Sequence, residues 1–129
     1  MATLLVVDDD PVTLECITEL LVKAGHDVST AADGLQARTL VKWRSFDAVL
    51  TDISMPNEDG IGLLLALRHS HPAPAVVVIS GQDWEVLDDA VRLGAHAAFR
   101  KPVDTKALFE CLAGLPKHPT PVIPEPRSV

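Results

Sequence analysis

Five times along the chain, a short apolar run rich in β-branched residues is followed by a stretch whose apolar residues recur at helical spacing. That alternation limits the possible folds more than any other feature, because strand–helix units in series build a parallel sheet with right-handed crossovers and helices on both faces. The clearest strand is Ala75 to Ser80, a continuous apolar segment that must be buried on both sides. The others are Thr3 to Asp8, Val28 to Ala32, Phe46 to Thr51 and Ala97 to Arg100. Helices are predicted from Pro11, with Asp10 as its cap and Gly25 as its end, and over Leu35–Trp43, Ile61–His69, Asp83–Leu93 and Asp104–Leu112. Asp59 is a plausible cap for the third of these helices.

One domain accounts for residues 1–115. From Pro116 the composition changes, and five prolines up to Pro126 mark 116–129 as an extended tail or linker. The chain shows no internal repeat and no apolar run of membrane-spanning length. Met1-Ala2-Thr3 leads straight into a strand-like run, leaving no room for a signal peptide, so a cytoplasmic protein without a membrane partner is expected. The formal charge of −7 disfavours direct contact with nucleic acid through the phosphate backbone. Cys16 and Cys111 make no C-x-x-C pair and are expected to be reduced thiols on buried helix faces. Trp43 and Trp84 are expected to be half-buried helix residues. The five histidines (26, 69, 71, 96 and 118) show no ligand spacing for zinc.

In open α/β sheets, ligands sit beyond the carboxyl ends of the strands. The first strand here ends in Asp8-Asp9-Asp10, the third in Asp52, the fourth in Ser80 and the fifth in Lys101. Asp10 before Pro11 is explained by helix capping. The remaining carboxylates would repel one another unless a hard cation neutralised them. Mg²⁺ suits that role, because it takes one or two carboxylates plus waters and phosphate oxygens at about 2 Å. Asp52 can then act as a carboxylate nucleophile towards a phosphoryl donor, with Lys101 supplying a mobile positive charge and Ser80 a hydroxyl donor for the transferred group.

Taken together, Leu5-Val-Val-Asp-Asp9, Asp47-Ala-Val-Leu-Thr-Asp-Ile-Ser-Met-Pro56, Asp59-Gly60, Val78-Ile-Ser-Gly81, Gly94-Ala95 and Lys101-Pro102 resemble the CheY-like receiver domains of bacterial two-component response regulators. The resemblance spans Leu4 to Leu115. It implies a flavodoxin-like (βα)5 three-layer sandwich with sheet order 2-1-3-4-5. It also implies Asp52 as phosphoacceptor, Asp9 as a direct metal-ligand acid, Asp8 as its mostly water-mediated neighbour and Ser54 as a backbone-carbonyl ligand of Mg²⁺. Ser80 matches the switch hydroxyl, and Lys101 the lysine whose bond to Pro102 is usually cis. The implied donor is a phosphohistidine on a sensor histidine kinase or a histidine phosphotransfer protein. The implied output is binding of a downstream protein through the face of the fourth helix, fifth strand and fifth helix. Such a domain is a phosphoacceptor and not an enzyme, beyond self-phosphorylation from small donors and autodephosphorylation. Ser54 and Gln82 occupy positions that tune dephosphorylation in the family.

One departure stands out. The family's switch aromatic falls on Ala98, while Phe99, one residue later, must point to the opposite face. Output is therefore expected to run through Gly81-Gln82-Asp83-Trp84 and the fourth helix. Two other readings fit parts of the sequence. One is a phosphorylation-independent pseudo-receiver. The other is a haloacid-dehalogenase-type phosphatase opening with Leu4-Leu-Val-Val-Asp8-Asp-Asp10-Pro-Val12, in which Asp8 is the nucleophile and Asp10 the acid/base. The phosphatase reading leaves Met55-Pro56 unexplained and lacks the acidic pair it needs on a strand after the lysine.

Overall fold

Asp10 and Pro11 start the first helix where local chemistry places them. The Asp10 side chain accepts from the Val12 N–H, and proline at the first helical position gives up no bond that the helix needs. In a computed structural model, which describes residues 1–53, 60–70, 73–81 and 83–115, this helix is α1 (Pro11–Lys23). It ends at Gly25, whose φ of 95° is a conformation that a side chain disfavours. The remaining elements are β1 (Thr3–Val7), β2 (Asp27–Ala31), α2 (Gly34–Trp43), β3 (Ala48–Thr51), α3 (Gly60–Leu67), β4 (Ala75–Ser80), α4 (Trp84–Arg92), β5 (Ala97–Arg100) and α5 (Thr105–Ala113). Asp33 caps α2 by accepting from Gln36 N–H, and Asp104 caps α5 by accepting from the N–H groups of Lys106 and Ala107.

All strand pairs are parallel, in the order β2-β1-β3-β4-β5. The expected flavodoxin-like sandwich is thus the observed one. Alternation along each strand divides the core into two layers. Leu5, Val7, Val49, Val76 and Val78 face Ala37 of α2, Leu63, Leu64 and Leu67 of α3, and Leu87 and Ala90 of α4. Leu4, Val6, Leu50, Val77 and Ile79 face Ile17 and Leu21 of α1 and Leu108 and Leu112 of α5. As anticipated, β4 is buried on both sides from Val76 onwards.

Element boundaries differ from the sequence expectation by one or two residues, most at β3, which pairs only from Ala48 although Phe46 is already buried. Three side-chain expectations need correction. Cys16 is exposed, because α1 turns Ile17 and Leu21 inward and Cys16 away, while Cys111 is half-buried beside the α1/α5 core. Trp43 and Trp84 are 84% and 56% exposed, and neither belongs to the packed core on either side of the sheet. Ser54, Met55-Pro56, the Asp59 cap, Gln82 and the proline-rich stretch 116–129 lie outside the described residues. Among the described residues, no helix is long and apolar enough to cross a membrane.

Candidate functional site

β1, β3, β4 and β5 run parallel, so their carboxyl ends emerge on one edge, carrying Asp8, Asp52, Ser80 and Lys101. Asp8 is almost fully buried directly after β1. One of its oxygens accepts from Asp10 N–H at 2.9 Å, which fixes the carboxylate against the start of α1. Asp52 follows β3, held by its own N–H donating to Val7 C=O at 3.1 Å. Its backbone is also pressed by Gly60, whose N–H donates to Ile53 C=O at 2.6 Å. A Cβ on Gly60 would lie 2.6 Å from Ile53 Cα, so the close approach requires glycine there. Asp59-Gly60 stands out in the sequence as a motif, but nothing in the sequence shows this contact.

Lys101 crosses the edge from β5. Its Nζ donates to Asp8 Oδ2 at 2.9 Å and to Asp52 Oδ2 at 3.2 Å. Burial opposes the charge on this ammonium, but the hydrogen bond to Asp8 and the negative charges of Asp52 and Asp8 outweigh it and raise the pKa above the ordinary lysine value. The Lys101-Pro102 bond is cis, as the resemblance implies, and Lys101 N–H donates to Ser80 C=O at 2.8 Å. Ser80 is buried at the end of β4. Next to it, Gly81 has open space where a side chain would stand.

Asp9 completes an acidic group. Ligand oxygens of Asp8, Asp9 and Asp52 lie within 4.8 Å of one another. In an octahedral shell with bonds of about 2.1 Å, oxygens are separated by roughly 3 to 4 Å, so small side-chain adjustments suit this set to a hard dication. All three donors are oxygens, which disfavours soft metals. Asp10 stands apart from this group, with its carboxylate engaged by Val12 N–H and the Thr13 hydroxyl. Those bonds hold its pKa below the usual carboxylate value.

On the neighbouring strand, Ala98 packs against the α2/α3/α4 core and Phe99 against the α1/α5 core. The inferred split of these two residues between faces is therefore present, although Phe99 is only partly buried.

Residues 4–113 match the family model described as response regulator receiver domain. The chain is 34% identical to the DNA-binding transcriptional regulator NtrC of Azospirillum brasilense, over 83% of this chain and 22% of that protein. It is 36% identical to a response regulator receiver protein of Anaeromyxobacter sp., over 85% of this chain and 47% of that one. It thus spans less than half the length of either relative. A receiver domain structure from Clostridium thermocellum superposes with a TM-score of 0.80 at 31% identity, covering 88% of this chain and 92% of the other. Sequence, sheet order and the acidic edge agree: the chain belongs to the family of response regulator receiver domains of two-component signalling.

Proposed function

We propose that Asp52 accepts a phosphoryl group from a phosphohistidine and that this charge change alters the binding of a protein partner. The observation that carries the reading is the bridge of Lys101 between Asp8 and Asp52 beside the exposed Asp9, a cation and three acids at one solvent-facing edge. Asp8, Asp9 and Asp52 would hold Mg²⁺, with the Ser54 carbonyl as a further ligand. When bound, Mg²⁺ neutralises the acids and the charge on the phosphoryl oxygens.

An Asp52 carboxylate oxygen forms the new O–P bond as the P–N bond to the donor imidazole breaks. The bonding pair leaves with the imidazole, which takes a proton from solvent, and Asp52 becomes an acyl phosphate. Lys101 can shift from its Asp52 contact to a phosphoryl oxygen while keeping Asp8. The Ser80 hydroxyl donates to another phosphoryl oxygen. The donor is a sensor histidine kinase or histidine phosphotransfer protein, and the responding face comprises α4, β5 and α5. Residues 1–115 form the receiver unit, and 116–129 serve as a linker.

The test is incubation with acetyl phosphate and Mg²⁺, trapping with borohydride or hydroxylamine, and mapping of the modified aspartate. Label on Asp52 is expected and should vanish in Asp52→Asn. Label on Asp8 would point to the phosphatase reading, which the capping role of Asp10 already disfavours. No label would point to a pseudo-receiver.

A further inference from the structure

The geometry points to Arg100 and Trp84 as the pair that couples the chemical state of Asp52 to the exposed start of α4, an inference that rests on the phosphoacceptor reading above. Arg100 lies directly opposite Ser80 in the β4–β5 register and immediately precedes Lys101. It shares with Ala98 the strand parity that faces α4. Its guanidinium sits over the Trp84 ring, 5.9 Å from the centroid. Among the described residues Arg100 makes no ion pair, so this ring is its partner. Trp84 is the first residue of α4 and follows Ser80 by four positions.

Both ends of the contact are therefore tied closely along the chain to the two groups that would grip a phosphoryl oxygen, Ser80 and Lys101. The strand offers no other aromatic for this task. Ala98 has no ring, and Phe99 packs on the far side of the sheet against the α1/α5 core. A pull on Ser80 moves the segment entering α4, and a shift of Lys101 moves Arg100 beside it. An exposed cation–π contact is weak enough to be made or broken by such shifts, and it biases a two-state equilibrium by about two- to five-fold.

The experiment uses Trp43→Phe, which leaves Trp84 as the sole tryptophan. Acetyl phosphate and Mg²⁺ are added while intact mass and tryptophan emission are followed together. The expected result is an emission change that tracks the gain of one phosphoryl group. Adding Arg100→Gln should leave the phosphorylation rate within about two-fold and remove at least half of the emission change, while Arg100→Lys should retain more of it. Phosphorylation of Asp52 with a silent Trp84, or an undiminished emission change in Arg100→Gln, would overturn the coupling alone. Absence of any mass gain in the parent would overturn the phosphoacceptor reading, and the coupling with it.

Discussion

Gly60 lies so close to Asp52 that a Cβ built on it would stand 2.8 Å from the Asp52 carbonyl carbon. The start of α3 is thereby seated on the backbone that presents the candidate phosphoacceptor. Gly60→Ala should push the two apart and lower stability by about 1–3 kcal/mol, as overpacking does where backbone meets backbone. Urea unfolding should show a lower midpoint with an unchanged slope. An unshifted midpoint would mean that the contact is looser than it stands here.

Lys101 competes with any metal for the oxygens of Asp8 and Asp52. Its replacement by alanine should tighten Mg²⁺ binding by about tenfold, because the unrelieved carboxylates then attract the dication more strongly. The same substitution should slow phosphoryl transfer by roughly 10²–10³-fold, the scale of losing one preorganised charge. Calorimetric Mg²⁺ titration and acetyl phosphate kinetics should thus move in opposite directions, and parallel losses would sink the idea.

Mg²⁺ at about ten times its dissociation constant should stabilise the parent by about 1.4 kcal/mol through binding the native state alone. Asp9→Asn should remove most of that gain. Asp10→Ala should lower the urea midpoint through loss of the α1 cap, yet leave the Mg²⁺ response intact, because Asp10 bonds to Val12 and Thr13 and stands outside the acidic group. A reduced Mg²⁺ response in Asp10→Ala would show that the two roles are not separate.

His26 links acid to stability at the opposite end of the sheet. Its Nδ1 accepts from Ala2 N–H at 3.0 Å, and burial, with a smaller contribution from the amino terminus, pulls its pKa below the ordinary 6.5. The unfolded chain thus binds more protons at this group than the native one between the lowered value and 6.5. The contribution is fully present above 6.5 and is lost as the pH falls through that window. Between about pH 7.5 and pH 5.5, the parent should lose more stability than His26→Gln in paired urea titrations. Equal losses would assign the acid sensitivity elsewhere.

The alternation of strands and helices was legible because its two periods, 2 and 3.6, are written in apolar residues such as those of β4 and α1. Asp8, Asp9, Asp52, Ser80 and Lys101 could be placed together because parallel topology sends every strand end to the same edge. Trp43, Trp84 and Cys16 depart from the sequence expectation for one common reason. Periodicity says which way a side chain points along its own helix, but not whether a neighbour covers it. The Gly60–Asp52 and Arg100–Trp84 contacts were invisible for a related reason. They join residues from separate elements at distances that only the packed chain defines.

The sheet also sorts the protein's tasks. Ala98, Arg100 and Trp84 sit with the α2/α3/α4 side, whereas Leu21, Phe99, Leu108 and Leu112 fill the other. Thermal robustness can therefore be tuned by substitutions where α1 packs on β1, at Leu4, Val6, Ile17 and Leu21, with little disturbance of the α4, β5 and α5 face that would report to a partner. A chain built this way can adapt to a new temperature and to a new correspondent by separate sets of mutations.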